Sequence, residues 1–170
     1  GEAGLETLML RRNSKIDFGG MSVFPGGRLD PADWEGLSPE DEIGAARRAA
    51  VREAFEECGL RVAPDSVLHY SHWTPPMVQM RRFVTWFFVA RAGEGDVEID
   101  HGEIHESTWL RPVDALRRRE QGEIELARVI DGGADGVRCG EPPFLQFGGD
   151  ILFVIAACED CTVRLDPLTD

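Results

Sequence analysis

Apolar and polar positions alternate in short blocks broken by glycine, proline and polar runs, the pattern of a chain that mixes strands with a few helices. Residues 5–12 read as a strand ending on Arg11-Arg12, and the polar, glycine-containing residues 13–20 read as the loop that follows. Residues 21–24 predict a short second strand, stopped by a turn at Pro25-Gly26-Gly27, where two glycines open backbone angles closed to other residues. Residues 30–38 read as irregular. Ser38-Pro39-Glu40-Asp41 then carries the marks of a helix start: Ser38 as N-cap, proline at the first helical position, and acids facing the positive end of the helix dipole. Ile43, Ala46, Ala50, Ala54 and Cys58 recur at helical spacing as one buried face, and Gly59 suits a left-handed C-cap.

Residues 67–72, 83–90 and 104–110 predict further strands, the second of them a continuous apolar run in which Trp86, Phe87 and Phe88 belong to the core. A short basic helix is expected from Pro112 through Arg119, residues 132–149 are loop-rich, and residues 151–157 form a last apolar stretch. No internal repeat is visible. Strands alternating with two helices point to an α+β fold, an α/β/α sandwich in which one mixed sheet carries helices on its faces.

The length of 170 residues and the 42% hydrophobic content suit one globular domain spanning 1–170. A net charge of −13, from 31 acidic against 18 basic residues, repels long polyanions, so nucleic acid is not an expected partner. The same surplus leaves carboxylates free to bind divalent cations, which bridge a protein to phosphates it would otherwise repel. No apolar run approaches the roughly 20 residues of a membrane-spanning helix, and residues 1–6 lack the basic start of a signal peptide, so the expected location is cytoplasmic and off the membrane. Cys58, Cys139, Cys158 and Cys161 are too few and too uneven for a disulfide scaffold and read as reduced thiols.

The chemistry concentrates in Arg52-Glu53-Ala54-Phe55-Glu56-Glu57-Cys58-Gly59-Leu60, because Glu53, Glu56 and Glu57 fall on one side of the helix. Carboxylates so placed repel one another, and Arg52 and a divalent cation are the natural neutralisers. On its own such a run is more often a solvated helix face whose ion pairs contribute about 0–1 kcal/mol each. The upstream Phe24-Pro25-Gly26-Gly27 adds a turn whose backbone carbonyl, at Gly26, is placed to meet the same cation.

Arg-Glu-x-x-Glu-Glu-x-Gly-Leu behind Phe-Pro-Gly-Gly resembles the signature of the Nudix hydrolases, and the likeness extends over about residues 5–116, with residues 128–170 unassigned. The downstream Gly102-Glu103-Ile104-His105-Glu106-Ser107-Thr108-Trp109 is similar to a second Nudix segment, in which Glu103 takes the place of a distal metal-binding or basic carboxylate. By this resemblance Glu53, Glu56, Glu57 and the Gly26 carbonyl would hold Mg²⁺ or Mn²⁺, with Arg52 orienting the carboxylates and Glu103 or a box glutamate as base. The implied reaction is hydrolysis of a diphosphate linkage in a nucleoside diphosphate derivative.

Two departures matter. The pattern has 13 residues between its glycine and arginine, whereas 24, residues 28–51, separate Gly27 from Arg52, an insertion of 11 that puts Gly44 where the first box glutamate belongs. Glu40, Asp41 and Glu42 are the candidates to replace it. The expanded loop, with Leu10-Arg11-Arg12, is similar to the subgroup that includes coenzyme A diphosphatases, so coenzyme A or acyl-coenzyme A is the expected substrate. The alternative is a Nudix-like module that binds or senses a nucleotide without hydrolysing it. The family also carries a strand ahead of the equivalent of Leu5, a place that residues 151–157 or a strand-exchanging homodimer would fill.

Arg12, Trp73, Arg81 and Arg82 are the candidate substrate contacts, because an exposed aromatic stacks on a base and arginine binds phosphate with two parallel hydrogen bonds. Core packing for Trp73 and plain solvent exposure for Arg81 and Arg82 are equally compatible with their positions. Arg117, Arg118 and Arg119 read as a solvated helix face.

Overall fold

The computed structural model describes residues 5–14, 19–74, 83–92 and 96–126, together with the backbone of 152–160. Arg81, Arg82, Cys139 and Cys161 lie outside the described residues, as does the side chain of Cys158. The expected α+β class holds, with the strands divided between two sheets. In the first, β1 (Thr7–Arg12) lies between β2 (Ser22–Val23) and β6 (Ile104–Leu110), antiparallel to both. The second has four strands in the order β3 (Gly26–Arg28), β7 (Leu152–Asp160), β5 (Phe83–Arg91) and β4 (Leu68–Trp73). The apolar stretch at 151–157 thus becomes an inner strand, parallel to β3 and antiparallel to β5.

The predicted turn at Pro25-Gly26-Gly27 is a strand instead. Gly26 takes a φ of 152°, which the missing side chain permits, and the backbone continues extended to pair Gly26 and Gly27 with Ala156 and Ala157. Partners more than a hundred residues away were invisible to a local reading of two glycines.

The helix α1 spans Glu42–Cys58 and begins later than Ser38-Pro39 implied. Ser38 to Asp41 close a turn, with the Asp41 N–H bonded to the Ser38 carbonyl at 3.0 Å, and Asp41 is the N-cap, accepting from the Gly44 N–H at 2.9 Å. At the other end Gly59 adopts φ 72° and returns its N–H to the Phe55 carbonyl, the predicted left-handed cap. Ala45, Ala46, Ala49, Ala50, Ala54 and Cys58 form the buried face; Ile43, expected there, is in the first turn and 41% exposed. Alanines at this spacing let the helix approach Leu8, Leu10, Phe88 and Ile104, all fully buried in the same cluster. Burying each of those four larger side chains stabilises the fold by roughly 1.5–3 kcal/mol.

Past β5, the backbone at residues 98–100 runs beside the end of α1, where the N–H groups of Glu98 and Asp100 bond the carbonyls of Cys58 and Glu57 at 3.0 and 3.3 Å. This satisfies acceptors that a helix end leaves open and ties the approach to β6 onto the helix carrying the carboxylates. A second helix, α2 (Pro112–Glu120), follows β6. No helix among the described residues is long and apolar enough to cross a membrane.

Candidate active site

Arg52 is the hub. Its Nη1 donates to Glu53 Oε1 at 2.9 Å and to Glu56 Oε2 at 3.0 Å, and its Nη2 donates to the Arg28 carbonyl at 2.9 Å. The same guanidinium binds Asp33, Nη2 to Oδ2 at 3.0 Å and Nε to Oδ1 at 3.4 Å. The hydrogen bond that Arg52 donates to Asp33, first among several carboxylate effects, holds the guanidinium protonated above its ordinary range. Asp33 was not anticipated. The local signal was Asp30-Pro31, an N-cap and first-position proline that open a short 3-10 turn, Pro31–Trp34, in the stretch read as irregular.

Glu57 faces inward from the last turn of α1 and is only 6% exposed. Burial pushes its carboxyl up to about 7; the Gly26 N–H, donating to Oε2 at 2.9 Å, and the Arg12 charge pull it down, while Glu53 and Glu103 push it up further. It is therefore the N–H of Gly26 that the structure brings to the carboxylates. Burial also raises Glu53, against the pull of its Arg52 partner and with the push of Glu56 and Glu103. Gly27 has a packing reason to be glycine, since a Cβ there would come within 2.3 Å of the carboxyl group of Glu53, which would have to shift.

The opposite wall comes from the β1–β6 pair. A bulge between Arg11 and Arg12 shifts the register so that Arg12 faces Ile104. Arg12 Nη2 then reaches Glu103 Oε2 at 2.8 Å, and the Asn13 N–H bonds the Glu103 carbonyl at 2.7 Å. The turn ahead of Glu103 includes His101 at φ 57° and is closed by Asp100, whose carboxylate accepts the N–H groups of Glu103 and Ile104. Burial acts to raise the Asp100 carboxyl, but these donors and that of Gly102 hold it below its usual range.

The fold therefore gathers Arg12, Gly26, Arg52, Glu53, Glu56, Glu57 and Glu103, drawn from β1, β3, α1 and the turn before β6. Trp73 is not among them: it ends the edge strand β4, which β5 and β7 separate from β3. Arg117 pairs with Asp114 at 2.7 Å and lines, with Arg111 and Arg118, a cavity of about 390 Å³ beside α2. Of the acids near Gly44, Glu40 binds Ser38 and Asp41 caps α1, which engages both carboxylates at the start of the helix.

Among the described residues no three His, Cys, Asp or Glu side chains are arranged to hold a metal ion. The donor chemistry nevertheless fits a hard cation: oxygen ligands only, one of them a buried carboxylate pressed by two like charges. Glu53 and Glu56 are turned to Arg52, so a cation would compete with that arginine for them.

A model of the NUDIX domain matches residues 2–131 of the chain. Among solved structures, the chain is similar to one described as the crystal structure of a NUDIX hydrolase from Alicyclobacillus acidocaldarius, at 21% identity, covering 77% of this chain and 91% of that one with a TM-score of 0.60, a likeness of fold. No functionally curated protein matches.

Proposed function

The chain belongs to the NUDIX domain family, whose members are pyrophosphatases of nucleoside diphosphate derivatives, and on that premise we propose that it cleaves coenzyme A or an acyl-coenzyme A with Mg²⁺ or Mn²⁺. The observation that carries the reading is the buried Glu57, set between the Gly26 N–H and the charges of Glu53 and Glu103. Such an accumulation of carboxylate around one buried group is costly for a bare fold and useful to a site that receives a cation.

Glu53, Glu56 and Glu57 would hold the ion. When bound, it supplies charge neutralisation on the transferred phosphoryl oxygens and acidifies the attacking water. Arg52 sets the directions of the Glu53 and Glu56 carboxylates. Glu103, half-exposed and tethered by Arg12, takes the proton from the water as its oxygen bonds to phosphorus; the bridging P–O bond breaks and the leaving phosphate carries off the electron pair. Support for the coenzyme A class comes from the inserted loop, which docks on Arg52 through Asp33 and so belongs to the site.

The test is a product assay with either ion against coenzyme A, acyl-coenzyme A, ADP-ribose, NADH and a dinucleoside polyphosphate, run beside Glu57→Gln. Expected is metal-dependent cleavage of the coenzyme A compounds, lowered roughly 100-fold or more in the variant. Preferential cleavage of another compound would overturn the substrate assignment. Near-normal turnover in Glu57→Gln would sink the residue assignment, and ligand-raised melting without any cleavage would leave a binding module.

A further inference from the structure

Of the residues gathered at the site, Glu103 alone lies in neither a strand nor a helix. A proton acceptor on a turn has no ladder of backbone hydrogen bonds to fix it, so its neighbours must. Contacts from two sides do this. From β1, the Asn13 N–H bonds the Glu103 carbonyl at 2.7 Å, Asn13 Nδ2 donates to the Gly102 carbonyl at 3.1 Å, and Arg12 holds the carboxylate. From the side of α1 the link is Asp100. Its N–H donates to the Glu57 carbonyl at 3.3 Å, while its carboxylate accepts the Glu103 N–H on Oδ2 at 3.0 Å and the Ile104 N–H on Oδ1 at 2.9 Å. One residue thus spans from the backbone of Glu57 to that of Glu103. Next to it His101 sits at φ 57°, the one non-glycine residue with positive φ among the described residues, a conformation that persists where the contacts around it over-determine the chain path.

We propose that Asp100 is a positioning residue: it sets the spacing between Glu57 and Glu103, so that the proton acceptor and the buried carboxylate face one reacting centre. This rests on the functional reading above, in which Glu103 takes the proton. Two carboxylate oxygens on successive N–H groups fix the direction of the turn as well as its place. Asp100 is exposed, so water would replace its carboxylate on those N–H groups and the fold would lose little. The turn would then be tied from β1 alone. The loss falls on placement, and a displacement of about 1 Å costs on the order of 100-fold in rate.

The measurement is steady-state cleavage of coenzyme A with Mn²⁺ by the whole chain, as wild type, Asp100→Ala, Asp100→Asn, Glu103→Gln and the double variant Asp100→Ala/Glu103→Gln. Melting temperature, Mn²⁺ affinity and amide exchange at Glu103 and Ile104 are recorded for each. In Asp100→Ala, kcat is expected to fall roughly 10- to 100-fold, with KM, Mn²⁺ affinity and melting temperature close to wild type and the two amides exchanging faster. Asp100→Asn keeps one acceptor oxygen, so its loss should be smaller, and it carries the test should Asp100→Ala not fold. In the Glu103→Gln background Asp100→Ala is expected to cost nothing further, because Asp100 acts only through Glu103. An equal loss in both backgrounds marks a merely structural role and overturns the proposal. So does weakened Mn²⁺ binding with kcat intact at saturating Mn²⁺, which would assign the turn to the ion. A wild type that cleaves another diphosphate instead is tested on that compound. Wild-type turnover in Glu103→Gln, or no cleavage by the wild type, would overturn the functional reading and this proposal together, whereas an unaffected Asp100→Ala beside an impaired Glu103→Gln overturns this proposal alone.

Discussion

Two arginine–carboxylate pairs flank Glu57, and they are built differently. Asp33–Arg52 joins a side chain 6% exposed to one 30% exposed, while Arg12–Glu103 joins one 20% exposed to one 59% exposed. The first is locked between the inserted turn and α1, with every contact spread over a planar guanidinium. The second hangs from the bulge of β1 and the turn before β6, where water reaches it. A buried pair whose partner is removed leaves a charge that nothing solvates, whereas an exposed pair contributes about 0–1 kcal/mol and is free to exchange protons. The same two chemical groups thus make a buried fixture on one side of the site and, on the other, an exposed pair whose carboxylate is the base in the proposed reaction.

The comparison is most exposed to Arg52→Gln. It strands the buried Asp33 carboxylate, so denaturant unfolding is expected to show a loss of about 3 kcal/mol, with turnover down roughly 100-fold or more. A stability close to wild type would erase the distinction between the two pairs. Glu103→Gln is the counterpart: turnover should fall roughly 100-fold with unfolding free energy within about 0.5 kcal/mol of wild type, and a large loss of stability would show that this pair too is a fixture.

A smaller effect is expected where the pairs meet the cluster. Gly27→Ala displaces the Glu53 carboxyl group from its place beside Arg52, and turnover should drop roughly tenfold, with unchanged kinetics showing that Glu53 has room elsewhere. The remaining effect is a pH dependence of stability. Burial raises the folded-state carboxyl of Glu57 from 4.5 to about 7, so the stability linked to its protonated form is complete below 4.5 and is lost as pH rises through 7. Metal-free protein should therefore melt at lower temperature at pH 8 than at pH 5, by on the order of 1–3 kcal/mol in stability, and Glu57→Gln should flatten that slope. An equal slope in the variant would place the titrating group elsewhere.

Much of this molecule was legible in its sequence. The helix with its glycine cap, the apolar run of β5, the strand at 104–110 and the box from Arg52 to Leu60 all follow from spacing and residue type, because helical periodicity and C-capping are local properties. The alanine stripe said which face of α1 turns inward, and the acid stripe beside it said which side of the helix carries the carboxylates. One error arose where a distant partner outweighed a local preference, at Gly26-Gly27 paired with β7. Another was a contest between local signals: Ser38-Pro39 had the chemistry of a cap, yet the turn it forms delivers Asp41 to that role.

Residue type and spacing along the chain decided that carboxylates would line one side of a helix, since three glutamates within one turn and a half have no other way to point. Which of them is buried, which arginine edge each meets and which aspartate completes the set were decided by tertiary contacts: Gly26 by its pairing with β7, Glu103 by the bulge at Arg12, Asp33 by a turn folded back across 19 residues onto Arg52. Local pattern reaches a few residues along the backbone, whereas burial and charge pairing depend on what the fold brings alongside.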